Sequence, residues 1–165
     1  MESGVPGYLH GAASRGHWER IGVRRRRGVC VPLFSLRSDR DCGVGDAGDL
    51  PALVDWCVRI GAEVIQLLPV NDMGLDACPY SALSAFALDP VFAALDRIPG
   101  LEDDADWRAQ VRTAASGIPD GPRVNWVATR RVKDGLLSEA LRRLDGPGLR
   151  GALAGFRAEN PWLED

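Results

Sequence analysis

The sequence predicts an α/β protein that opens with a parallel strand–helix–strand unit and continues into a mostly helical stretch. Three observations carry this. Val29–Leu36 and Val64–Leu68 are apolar runs rich in β-branched and aliphatic residues. The second reads as a strand covered on both faces, since it shows no polar alternation. Between them Leu50, Leu53, Val54, Cys57 and Ile60 recur at i, i+3, i+4, i+7 and i+10, one apolar stripe of an amphipathic helix. A helical crossover between two strands of one sheet makes them parallel and the unit right-handed.

Residues 1–26 contain Gly, Ser, Pro, His10 and His17 without usable periodicity and are expected to be a mobile leader. Arg24–Arg27 end it as a basic cluster, read as a solvated approach to the first strand because no second basic patch accompanies it. Pro32 lies inside the first strand run, which suits an edge or bulged strand because proline cannot donate to a ladder. The helix is expected over 49–60, with Asp46 or Asp49 capping its start, Pro51 in its first turn and Gly61 at its end. Past residue 100, the acidic run Glu102–Asp106 suits the first turn of a helix reaching Val111. A longer helix over 125–144 places Leu137, Ala140, Leu141 and Leu144 on one face, and a last helical piece holds Leu149, Leu153 and Phe156. The final residues offer neither a cap nor a closing strand, so the sequence is expected to be the opening piece of a longer one. The expected organisation is therefore a leader (1–26), a βαβ part with its loop (27–99) and a truncated helical part (100–165).

Composition narrows the function classes. Of 165 residues, 45% are hydrophobic and 26% charged, a globular balance. No apolar run reaches the roughly 18–20 residues of a membrane-spanning helix, and the N-terminus lacks a secretory apolar core. A net charge of −3 argues for neither nucleic acid nor membrane as partner. Lys133 is the only lysine among the basic residues. Cys30, Cys42, Cys57 and Cys78 show no metal-ligand spacing and no neighbouring histidine, so no metal or cofactor is expected and a reduced cytoplasmic protein is the plain reading.

The loop after the second strand is the candidate site. It carries Asn71, Asp72, Asp76, Cys78, Tyr80, Ser81 and Ser84, and ligands in α/β folds sit beyond the carboxyl ends of strands. Tyr80 stands out: an aromatic ring there can face the C–H surface of a sugar while its hydroxyl meets a sugar oxygen. Gly43–Gly48 matches G-x-G-x-x-G between a strand and a helix, the dinucleotide fingerprint. Against that reading, Arg37–Cys42 separate the glycines from the strand, and Asp46 puts a carboxylate where a pyrophosphate would bind. Glycines that permit a close approach to a helix explain the pattern better. A retaining glycosidase needs two carboxyls about 5–5.5 Å apart, and no spacing pairs any two of Asp39, Asp41, Asp46, Asp72 and Asp76. No catalytic residue is assigned.

Five blocks, in order, resemble the N-terminal part of the amylomaltase or disproportionating-enzyme family of 4-α-glucanotransferases. They are RGVCVPLFSLRS, CGVGDAGDLPALVDWCVRIGAEVIQLLPVND, PYSALSAFALDPVF, RVNWVATRRVKDGLL and FRAENPWLED. The resemblance implies an incomplete TIM (β/α)8 barrel, with the first two strands followed by a mostly helical insertion. It implies transfer of α-1,4-glucan segments between maltodextrins by a retaining double displacement, in starch or glycogen metabolism. The three catalytic acids of that family come from later strands, beyond Asp165, so the piece itself is expected to be inactive. The tyrosine of the family's Pro-Tyr motif, which lines a donor-sugar subsite, matches Tyr80, with Cys78 and Ser81 as secondary substrate-binding candidates. Cys78 stands where a serine often precedes that motif, and Leu75 replaces a tyrosine tied to a secondary glucan site, which is therefore not expected. The alternatives are a stand-alone carbohydrate-binding module using the Tyr80 loop and a dinucleotide-binding domain on the glycine loop.

Overall fold

The structure is a computed structural model that describes residues 7–9, 11–74, 76–144 and 146–161. It is α/β: two parallel strands and five α-helices among those residues, joined by short 3₁₀ turns. The segment expected to be a mobile leader contains a helix, α1 (Arg15–Ile21), held by Arg15–Glu19 on its surface and by Trp18 donating to the Ser14 hydroxyl at 3.2 Å. His10 lies outside the described residues. The basic cluster after α1 has a defined use: Arg24 and Arg26 both bind Glu63, and Glu63 N–H donates to the Arg27 carbonyl at 2.7 Å. The approach to the first strand is thereby tied to the start of the second.

Strand β1 (Gly28–Val31) pairs in parallel with β2 (Val64–Leu67), in register Gly28↔Val64 through Val31↔Leu67. The first strand is shorter than expected. Pro32 stops it instead of bulging it, because the missing N–H ends the ladder and the chain turns into a 3₁₀ turn at Leu33–Ser35. The second expectation to fail is burial: β2 alternates exposed and half-buried residues. A two-stranded sheet presents two faces and two edges, and the described residues do not cover both faces.

Helix α2 (Leu50–Arg59) joins the strands, with Pro51 in its first turn and Gly61 (φ 71°) in the left-handed conformation just past its end. Asp46 and Asp49 form a reciprocal cap over the 3₁₀ turn Ala47–Asp49 that leads into it: Gly48 N–H donates to Asp46 at 2.9 Å and Asp46 N–H to Asp49 at 2.9 Å. Its predicted stripe is only partly buried. Cys57 is inside, whereas Val54 and Ile60 stand exposed.

Helices α3 (Ala105–Ser116), α4 (Trp126–Leu144) and α5 (Pro147–Glu159) form the second part. Asp104 caps α3 by accepting from the amides of Asp106 and Trp107. The main core gathers Cys42, Leu95, Leu101, Trp107, Val111, Ile118, Leu136 and Ala140, so it draws on both sides of residue 100. A smaller cluster of Leu33, Val44, Met73, Val91 and Phe92 lies under the strand-end loops. The buried stripe of α4 is Thr129, Lys133, Leu136 and Ala140; of the expected face, Ala140 is buried and Leu137 and Leu144 pack half-buried against the core, whereas Leu141 is exposed. In α5 Leu153 and Phe156 are likewise exposed.

Candidate functional site

The loop from Val70 to Asp89 leaves the carboxyl end of β2 and returns beside its own start. Backbone hydrogen bonds close its stem: Asp89 N–H to Val70 O at 2.9 Å, Asp72 N–H to Ala87 O at 2.9 Å and Leu83 N–H to Asp72 O at 2.7 Å. An antiparallel bridge between Asn71 and Leu88 and the Asn71 side chain on Ala85 O (2.9 Å) complete it. Local side chains shape the turns above. Asp72 accepts from Gly74 N–H, Asp76 from Cys78 N–H, and the Ser84 hydroxyl from Phe86 and Ala87 N–H. Gly74 (φ 57°) is required for the first of these turns.

Tyr80 rises from this frame with 74% of its surface exposed. Ser81 is exposed beside it, Cys78 is half-buried, and Ser81 N–H donates to Cys78 O at 3.0 Å. Leu83, Phe86 and Leu88 are also largely exposed, so the loop offers an aromatic and apolar surface along its length. Leu75 lies outside the described residues. A cleft of about 440 Å³ lies elsewhere, between Arg37–Asp41, α3 and Asp120–Arg123, and Tyr80 does not line it.

The base of the loop is charged and buried. The Asp89 carboxylate, fully buried, accepts from Met73 N–H (3.3 Å) and Val91 N–H (3.0 Å), and Arg130 of α4 grips both its oxygens at 3.0 and 2.6 Å. Burial pushes this carboxyl up, but Arg130 and the two amides outweigh it, leaving it below its ordinary value of 3.8. The same pairing raises Arg130. Lys133, fully buried, donates to Val91 O (2.7 Å), Ala93 O (2.9 Å) and Asp46 (3.0 Å). Here burial wins: the Asp46 carboxyl is pushed above 3.8 despite Lys133 and the Gly48 amide. Sequence reasoning missed Asp89, Arg130 and Lys133. The one available signal was a solitary lysine at helical spacing with Thr129, Leu136 and Ala140.

Four of the five candidate acids serve structure. Asp46 caps the turn leading into α2 and binds Lys133, Asp41 pairs with Arg37 at 2.6 Å, and Asp72 and Asp76 hold turns. The glycine loop is packing. A Cβ on Gly43 (φ 77°) would lie 2.6 Å from the Thr129 hydroxyl, and one on Gly45 would run into the carbonyls of Leu33 and Leu36. The amide of Gly48 that a pyrophosphate would need is already taken by Asp46.

A family model described as 4-alpha-glucanotransferase matches residues 31–165. The chain is 40% identical over 144 residues to a 4-alpha-glucanotransferase of Chlamydia pneumoniae, covering 87% of this chain and 27% of that protein. It is 51% identical over 85 residues to the 4-alpha-glucanotransferase DPE2 of Oryza sativa subsp. japonica, covering 46% and 9%. With the Arabidopsis thaliana chloroplastic/amyloplastic DPE1 it shares 29% over 148 residues, covering 86% and 24%. The chain thus spans between 9% and 27% of the length of these relatives. With the family model running from the end of its first strand to its last residue, the chain belongs to the 4-alpha-glucanotransferase family.

Proposed function

We propose that the chain supplies the first two strands and the helical insertion of a (β/α)8-barrel 4-α-glucanotransferase, and that its Tyr80 loop holds the donor end of an α-1,4-glucan. The observation that carries this is the position of Tyr80: three-quarters exposed, beyond the carboxyl end of a parallel strand, on a stem closed by backbone hydrogen bonds. That is where a barrel binds its ligand, and a free aromatic face with a hydroxyl suits a pyranose. Cys78 and Ser81 flank the ring as further contacts.

The reaction of this reading is a retaining double displacement in which a carboxylate attacks the anomeric carbon and a second carboxyl protonates the leaving oxygen. The glycosyl group then passes to the 4-hydroxyl of an acceptor maltodextrin. The role of the present residues is to bind and orient the glucan. Asp41, Asp46, Asp72 and Asp76 of the strand-end loops are engaged in caps, turns and ion pairs, which supports a chain that binds without turning over.

Incubation of the purified chain with maltotriose, followed by a glucose assay, is expected to give no release; sustained release would overturn the assignment of the reacting acids to residues outside this chain. Titration with maltoheptaose is expected to show weak binding that Tyr80→Ala abolishes and Tyr80→Phe weakens about threefold, the share of one hydrogen bond. Binding indifferent to both substitutions would remove Tyr80 from the site.

A further inference from the structure

The stem bonds of the Tyr80 loop tie its two legs to each other. Asp89 ties the pair of legs to helix α4. Its one carboxylate receives the Met73 amide from the outgoing leg, the Val91 amide just past the returning leg, and both arms of the Arg130 guanidinium from α4. Met73 itself is buried in the cluster beneath. Three residues further along α4, Lys133 fixes the next stretch by its bonds to Val91 O and Ala93 O. Positions three apart share a helix face, so two cations of a single helix grip the root of the loop from below.

We propose that Arg130 is a positioning residue for the Tyr80 loop. Its planar fork fixes the plane of the Asp89 carboxylate, and that carboxylate in turn fixes where the two legs start. Neutralising Asp89 needs only a positive charge; orienting it needs two parallel N–H bonds, which an arginine supplies and a lysine does not. Helix α4, whose Arg130 lies 41 residues beyond Asp89, would then set how well the loop presents Tyr80 to an α-1,4-glucan. This last step rests on the reading of Tyr80 as a glucan contact, whereas the anchoring does not.

Arg130→Lys separates charge from geometry, and amide hydrogen exchange reads the anchoring without any sugar. The amides of Asp72, Leu83 and Asp89 are expected to exchange about tenfold faster in Arg130→Lys, with those of Val111 and Ala114 in α3 within about twofold of the parent. Arg130→Met should exceed the lysine variant, and Arg131→Lys, on the exposed side of α4, should change nothing. The proposal is overturned if the loop amides of Arg130→Lys exchange at the parental rate, or if the α3 amides accelerate equally, which would make Arg130 a general brace of the fold. Should Arg130→Met fail to fold, the lysine variant alone decides. Maltoheptaose affinity is expected to fall about fivefold in Arg130→Lys. Faster loop exchange in Arg130→Lys, together with unchanged affinity or a parent chain that does not bind maltoheptaose, would uphold the anchor and overturn the reading of Tyr80.

Discussion

The strand pair with α2 and the α3–α4 core hold similar kinds of apolar residues and bury them to opposite degrees. Along α2, Trp56 remains 44% exposed and Val58 71%, and β2 is nowhere fully covered. In the other region Trp107 is entirely buried, its indole N–H on Leu95 O at 2.7 Å, with Leu136 and Ala140 nearby in the same core. The difference lies in what stands opposite. Helices α3 and α4 close on each other and on the turns around Leu95, whereas no described element packs across the outer face of α2. In the proposed barrel, that face and both strand edges are where neighbouring strands and helices would lie.

The largest expected effect tests this contrast directly. Trp107→Ala should destabilise the chain by about 3–5 kcal/mol, the cost of emptying a filled aromatic site. Trp56→Ala should cost about 1 kcal/mol or less, since its ring already meets water. Urea unfolding of both variants gives the comparison. Equal losses would mean that α2 is packed as firmly as α3, and the two regions would no longer differ.

Lys133 comes next, because it is the point where the two regions join. Lys133→Met leaves Asp46 and two carbonyls buried without their donor, a loss of about 3 kcal/mol. Asp46→Asn in the same chain should recover part of it by removing the stranded charge, again by urea unfolding. This junction also marks the limit of what the sequence discloses. Helix α2 was legible because its stripe, its first-turn proline and its terminal glycine all agree, and the parallel pairing follows from the crossover. The Thr129–Lys133 part of the buried face of α4 was not legible, because a search for apolar periodicity passes over a lysine and a threonine. The partners of Lys133, Asp46 and the Val91 and Ala93 carbonyls, lie 87, 42 and 40 residues away in sequence. Tyr80 could be read as a candidate from its place after a strand; Asp89 could not, since Asp-Pro before an apolar pair looks like an ordinary turn.

Asp89 and Asp46 carry the contrast into pH. The Asp89 carboxyl is depressed, so its contribution to stability is present above the unfolded pKa and disappears as pH falls through the folded value. The Asp46 carboxyl is raised, so the folded state holds that proton more tightly. Its contribution is present below the unfolded pKa and is lost as pH rises through the folded value. The two therefore oppose each other in acid. Urea midpoints followed downward from pH 6 should fall less steeply in Asp89→Asn than in the parent, and more steeply in Asp46→Asn. Parallel curves for all three would mean that neither carboxylate governs the acid limb.

The smallest expected effect on stability belongs to the residue expected to matter most for binding. Tyr80→Ala removes a ring that is three-quarters exposed, above a loop whose hydrogen bonds are made by other residues. Its unfolding free energy should stay within about 0.5 kcal/mol of the parent, while maltoheptaose binding is lost. The loop can afford this because its order comes from below, through Asp89 and Arg130, which leaves the tip free to be chosen for its ligand. A loss above about 1 kcal/mol would show that the ring packs against the loop. Tyr80 would then belong with the buried residues at the root, and the separation between a structural base and a binding tip would fail.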